Sequence, residues 1–178
     1  NTDTGFTETV TLTEASAGAL SGNAVAAVSG VATFTALNYS ATADQQSFTL
    51  TANDQDGVGS DLSTTNANAV TSDVVASKLV FDTQPAPLTL NSGVTEAMTT
   101  VPVVSARDAN NVLDTGYTTG ITLTETGAGS AIMSGTADTD GSSATVTITP
   151  TAGASTFSGL TINYTASGAA ENFNLQDS

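Results

Sequence analysis

The stretch Asp3-Thr-Gly-Phe-Thr-Glu-Thr-Val-Thr-Leu-Thr-Glu14 returns as Asp114-Thr-Gly-Tyr-Thr-Thr-Gly-Ile-Thr-Leu-Thr-Glu125, displaced by 111 residues. Each copy leaves an Asp-Thr-Gly turn and enters an alternation of apolar and Thr residues. Val10 and Leu12 are set against Thr9, Thr11 and Thr13, and Ile121 and Leu123 against Thr122 and Thr124. A period of two puts the apolar side chains on one face and the threonines on the other, which predicts a half-buried antiparallel strand. Recurrence over this distance marks a repeated unit.

Working outward, Phe34, Leu37, Asn38, Tyr39, Phe48 and Leu50 find counterparts in Phe157, Leu160, Asn163, Tyr164, Phe173 and Leu175, at offsets of 123 to 125. The growing offset predicts longer loops in the second copy, around Ala137 to Gly141 and Pro150 to Gly153. Further alternation at Val31 to Thr35, Phe48 to Thr51, Val146 to Ile148, Leu160 to Tyr164 and Phe173 to Leu175 predicts more strands. Gly, Asn, Asp and Ser clusters punctuate them. No window holds helical spacing between caps, so the expected fold is all-β with almost no helix.

Composition agrees. There are 34 Thr and 27 Ala, six Phe, three Tyr and no Trp. Thr suits a pleated, half-exposed surface, and the apolar residues suffice for thin cores of the kind found between the sheets of antiparallel β-sandwiches. A new unit opens at Ala76-Ser-Lys-Leu-Val-Phe-Asp-Thr-Gln-Pro85, followed by the apolar Val101, Val103 and Val104. The expected organisation is therefore a unit over residues 1–76 that lacks its first strands and a unit over residues 77–178 that lacks its last. On this reading both are cut from a longer tandem array.

Acidic residues number 17 against two basic ones, Lys78 and Arg107, for a net charge of −15. Such a surface neither neutralises phosphates nor sits on anionic lipid, so the expected partners include no nucleic acid and no membrane insertion. With no Cys there are no disulfides or thiolate metal sites. With neither Cys nor His, the Ser-His-Asp and Cys-His nucleophiles and histidine zinc sites are excluded. Asp3-Thr-Gly5 and Asp114-Thr-Gly116 spell the aspartic protease triplet twice, but Phe6 and Tyr117 stand where that signature has Ser or Thr. A turn feeding a strand is the preferred reading. Glu14 and Glu125 occupy equivalent repeat positions and read as strand ends, not as a glycosidase pair. No enzyme is expected.

Hard cations are the chemistry this composition admits, since they take six to eight oxygens from carboxylates and loop carbonyls. Asn53-Asp-Gln-Asp-Gly-Val-Gly-Ser-Asp61 offers Asn53, Asp54, Asp56 and Asp61 at short spacing, with Gly57 for a sharp turn. Asp138 and Asp140 form a second cluster, and Asp108, Asn110, Asn111 and Asp114 a third. None has the distal Glu of an EF-hand. The expected cofactor is Ca2+, with plain solvated loops as the alternative. Asn38-Tyr-Ser40 and Asn163-Tyr-Thr165 spell glycosylation sequons, which repetition alone explains.

The order of these motifs carries a resemblance. Ala76 to Pro85, then Ala106-Arg-Asp-Ala-Asn-Asn111, then the strands Thr11-Leu-Thr13 and Thr122-Leu-Thr124 and Gly30-Val-Ala-Thr-Phe34, resemble the bacterial Ig-like tandem repeats of large cell-surface proteins. These are the stalks of adhesins and the components of S-layers. The resemblance implies Ig-like sandwiches of about seven strands on a bacterial cell surface or in a secreted protein, with a structural role as spacer, stalk or surface-layer component. Partners would be neighbouring repeats of the same chain, or copies of itself. The alternatives are a glycan- or ligand-binding adhesive module and a filament subunit assembled by strand donation.

Overall fold

The computed structural model describes residues 1–54, 61–169 and 171–178 of the chain. Among them there is no helix. Every strand pair is antiparallel, the pairing that alternation with one buried face favours, and the fold is sandwich-like. The chain divides into two compact units, Asn1–Asp73 and Val74–Ser178.

The first unit holds β1 (Thr9–Thr13), β2 (Ala19–Ser21), β3 (Ala24–Ala26), β4 (Asn38–Ser40), β5 (Ser47–Phe48), β6 (Thr51–Asn53), β7 (Thr65–Asn66) and β8 (Val70–Thr71). Its main sheet runs β3-β1-β6-β7, beside the ribbons β2-β4 and β5-β8. The second unit holds β9 (Lys78–Thr83), β10 (Thr95–Ala97), β11 (Val103–Arg107), β12 (Ile121–Glu125), β13 (Ser130–Ser134), β14 (Thr145–Ile148), β15 (Ala154–Thr156), β16 (Thr161–Thr165) and β17 (Leu175–Asp177). Its three sheets run β15-β11-β9, β14-β12-β17 and β10-β16-β13.

The repeat read from sequence reappears as a shared register. In the first unit Leu12 faces Ala52 and Thr13 faces Thr51; in the second Leu123 faces Asp177 and Thr124 faces Gln176. Val10 faces Val25 as Ile121 faces Ile148, and Leu20 faces Tyr39 as Ala131 faces Tyr164. Since a slip of one residue would turn each apolar face outward, this match fixes the same inner face in both units. A tight turn is duplicated too: Ser29 and Gly30 have φ of 51° and 79°, Ala152 and Gly153 have 49° and 78°. Each pair closes a bridge, Val28 to Val31 and Thr151 to Ala154. Glycine is needed at the second position in both, because a Cβ there would overlap the carbonyl oxygen of Asp3 or of Asp114.

The units differ in how well that face is covered. In the second, Val104, Ile121, Leu123, Val146, Phe157, Leu160 and Ile162 form a closed core. In the first, Val10, Leu12, Phe34 and Leu37 are only half-buried. The strand expected over Val31 to Thr35 does not form, and only the single bridge at Val31 remains. Its counterpart β15 is held in place by β11, which pairs Val103 with Thr156 and Val104 with Ser155. Among the described residues of the first unit nothing corresponds to β9, β10 or β11. Without that neighbour the segment has no ladder to join.

Candidate functional site

The Asp-Thr-Gly segments fold as turns. Asp3 Oδ1 accepts the Gly5 N–H at 2.9 Å and Asp114 Oδ1 accepts the Gly116 N–H at 3.0 Å. The backbone closes behind each, with Phe6 N–H donating to the Asp3 carbonyl and Tyr117 N–H to that of Asp114. Asp114 is buried, and its Oδ2 accepts the Ala76 N–H at 2.9 Å. That bond ties the start of the second unit to the turn that opens its repeated strand. A carboxylate in this role accepts several backbone N–H groups and anchors chain entry.

The acidic loops are similarly self-engaged. Asp138 Oδ1 accepts the Thr147 N–H at 2.9 Å. Asp140 Oδ2 accepts the hydroxyls of Thr145 at 2.8 Å and Thr147 at 2.7 Å, and its Oδ1 accepts the Ser142 N–H at 2.7 Å. These donors, the Thr147 hydroxyl foremost, hold the Asp140 carboxyl below its ordinary value. Asp108 Oδ1 accepts the Val112 N–H at 2.8 Å, in a tight loop where Asn111 has a φ of 71°. Arg107 braces this loop, donating to the Asn111 carbonyl at 2.9 Å and pairing with Asp82 at 3.1 Å.

In the Asn53 to Asp61 loop, Asp54 is buried and its carboxylate accepts the Leu62 N–H at 3.1 and 3.3 Å. Asn53 ends β6 and Asp61 is exposed. Asp56 and Gly57 lie outside the described residues. Asn53 and Asp54 line a cavity of about 410 Å3, together with Asp3, Phe6, Val10 and Leu62. Asp3 thus joins Asp54, a neighbour the linear spacing does not suggest. Among the described residues no three His, Cys, Asp or Glu side chains converge as a metal-binding group.

A feature absent from the sequence expectations is a stacked tyrosine with a side-chain acceptor seven residues on, built twice. Tyr164 stacks on Phe173 with ring centroids 4.2 Å apart, and Tyr39 on Phe48 at 3.9 Å. Tyr164 donates its hydroxyl to Glu171 at 2.8 Å, and Tyr39 donates to Gln46 at 2.7 Å. The carboxylate in turn accepts the Ser167 N–H, and the Gln46 side-chain Oε1 accepts that of Thr42 at 3.1 Å. Desolvation, then the Glu171 partner, pushes the Tyr164 hydroxyl up, while that hydroxyl holds the Glu171 carboxyl down. The signal was legible: Gln46 and Glu171 share the offset of 125 that relates Tyr39 to Tyr164.

In the second unit Tyr164 borders a cleft of about 650 Å3, whose walls include Phe81, Pro87, Met98, Ile162, Glu171 and Phe173. Chemically the cleft offers apolar surface, the polar residues Gln84, Thr89, Ser92, Asn172 and Asn174, and the Glu171 carboxylate already bound to a tyrosine. No family model matches this chain, no curated protein matches it and no solved structure matches it.

Proposed function

We propose that this chain is a structural, non-catalytic piece of a tandem Ig-like array on a bacterial cell surface or in a secreted protein. It acts there as a spacer, stalk or surface-layer component. One observation carries the reading: what the repeat preserves is the apparatus that holds a fold together. The stacked tyrosine with its acceptor seven residues on, the Asp-Thr-Gly turn and the Ser29-Gly30 and Ala152-Gly153 turns all recur. The composition supports it as well, since an acidic surface with two cations stays soluble and repels copies of itself. Calcium is the proposed stiffening ion, with the loop after Asn53 as the first place to look.

Mechanical unfolding of the single molecule tests the role. Antiparallel sheets whose terminal strands pair within each unit should release their chain in separate single steps, the longer increment coming from Val74–Ser178. Continuous yielding at low force would contradict a load-bearing spacer. A second reading, an adhesive module for a glycan or other ligand, is favoured by the cleft under Tyr164 and Phe173. Resonance shifts confined to its walls on titration with oligosaccharides would support that reading over the first.

A further inference from the structure

We infer that the cleft beside Tyr164 binds a small organic cation, an ammonium ion with an apolar body, held by aromatic rings and the Glu171 carboxylate. A difference between the two copies of the repeat points to it. In the first unit Gln46 fills the equivalent position with no charge. Its Oε1 accepts the Tyr39 hydroxyl at 2.7 Å and the Thr42 N–H at 3.1 Å, and its amide donates to the Thr42 hydroxyl at 3.4 Å. Glu171 makes the matching set, accepting the Tyr164 hydroxyl at 2.8 Å and both the N–H and the hydroxyl of Ser167. Ser167 follows Thr42 by the same 125 residues that separate Glu171 from Gln46. A neutral amide therefore suffices to hold this loop, and the repeat does not require a charge at the position.

The charge that the second copy does carry borders the cleft of about 650 Å3, a size usual for small organic ligands. Among the described residues that line it, Glu171 is the only charged one. The chain's two basic residues stand elsewhere, Arg107 paired with Asp82 and Lys78 at the start of β9. An anionic ligand would thus meet a carboxylate and no counter-ion. The Tyr164 hydroxyl, foremost among its partners, holds the Glu171 carboxyl below its ordinary value and so ionised at neutral pH. With three donors already bound, that carboxylate offers a ligand its field more than a further directed hydrogen bond.

Phe81, Tyr164 and Phe173 are among the walls, and the faces of such rings attract a cation most strongly where water is displaced. Met98, Ile162 and Pro87 add apolar surface for the rest of the ligand. A quaternary ammonium fits all of this, since it donates no hydrogen bond and leaves no donor unpaired when it enters apolar surroundings. A neutral oligosaccharide is the weaker ligand, because it would bury many hydroxyls against these walls and make no use of the charge. The inference rests on reading the cleft as a ligand site and narrows that reading; it is independent of the load-bearing role.

The test titrates the full chain, at constant ionic strength, with three probes of one shape and different charge: choline, its neutral carbon isostere dimethylbutanol, and dimethylbutanoate. The ring resonances of Phe81 and Phe173 are the readout. Choline should shift them and bind about tenfold or more tighter than dimethylbutanol, with dimethylbutanoate the weakest. Glu171→Gln, which installs the acceptor that the first unit already uses, should remove most of that preference. A preference unchanged in Glu171→Gln would overturn the inference, because the general field of a chain of net charge −15 would then be its source. Equal affinity for choline and dimethylbutanol in the parent chain would also overturn it, while leaving a ligand cleft without cation selectivity. No shift with any probe would overturn the cleft reading as well. Phosphocholine separates two sources of the same cation: binding as tight as that of choline would support the inference with a pendant headgroup as the ligand, and weaker binding would support it with a free cation.

Discussion

Tyr39 and Tyr164 perform the same task with different partners, and the difference is a titratable proton. Glu171 is held below its ordinary value of 4.5, first by the Tyr164 hydroxyl and then by the Ser167 donors, against desolvation. A carboxyl depressed in the folded state adds stability above its unfolded pKa and loses it as pH falls through the folded one. The second unit should therefore weaken progressively below about pH 4.5. Asp140, also depressed from its ordinary 3.8, adds to the loss at the acid end of that window. In the first unit the tyrosine's acceptor is the neutral Gln46, so that pair adds no such dependence. Glu171→Gln should flatten the acid limb of the second unit's melting curve and leave the first unit's melting unchanged. Thermal midpoints between pH 3 and 7 check this, and an acid limb identical in the variant would place the titrating group elsewhere.

At the level of elements, the two units form a natural experiment on what one covering strand contributes. Phe157 is fully buried beside β11, whereas Phe34 occupies the same repeat position on a half-covered face. Phe157→Ala should cost about 3–5 kcal/mol. Phe34→Ala should cost roughly half that or less, since little of its area has left water. Denaturant unfolding of the full chain, read as separate transitions, checks the pair, and equal costs would mean the first face is already covered in solution. The same contrast explains what was legible. Alternation located β1, β12, β14 and β16 because their inner faces are apolar whichever neighbour they have. It misplaced a strand at Val31 to Thr35 because a ladder needs a partner, and pairing lies in no local pattern. Among the acidic clusters the spacing of Asp138 and Asp140 was visible. That Thr145 and Thr147 on β14 donate to Asp140 was not, because it depends on the loop folding back along the strand that follows it.

For the whole molecule the governing quantity is the net charge of −15, which opposes compaction at low ionic strength and makes cations general stabilisers. Two cation effects have to be separated. Screening depends on ionic strength alone and saturates once the Debye length, about 8 Å at physiological salt, falls below the spacing of surface carboxylates. Binding at a site continues beyond that point and follows mass action. At a hundredfold excess over its dissociation constant, one site contributes about 2.7 kcal/mol to the unit that holds it. If the loop from Asn53 to Asp61 gathers the ion, the gain belongs to the first unit, and Asp54→Asn should remove it while sparing the second. The decisive comparison is the thermal midpoint of each transition in about 10 mM calcium against sodium chloride of equal ionic strength, with chelator as the baseline. A rise confined to the first transition and specific to calcium would identify an ion bound within the first unit. Equal rises in both salts would leave the chain held by packing and screening, with Asp54 as the acceptor for Leu62.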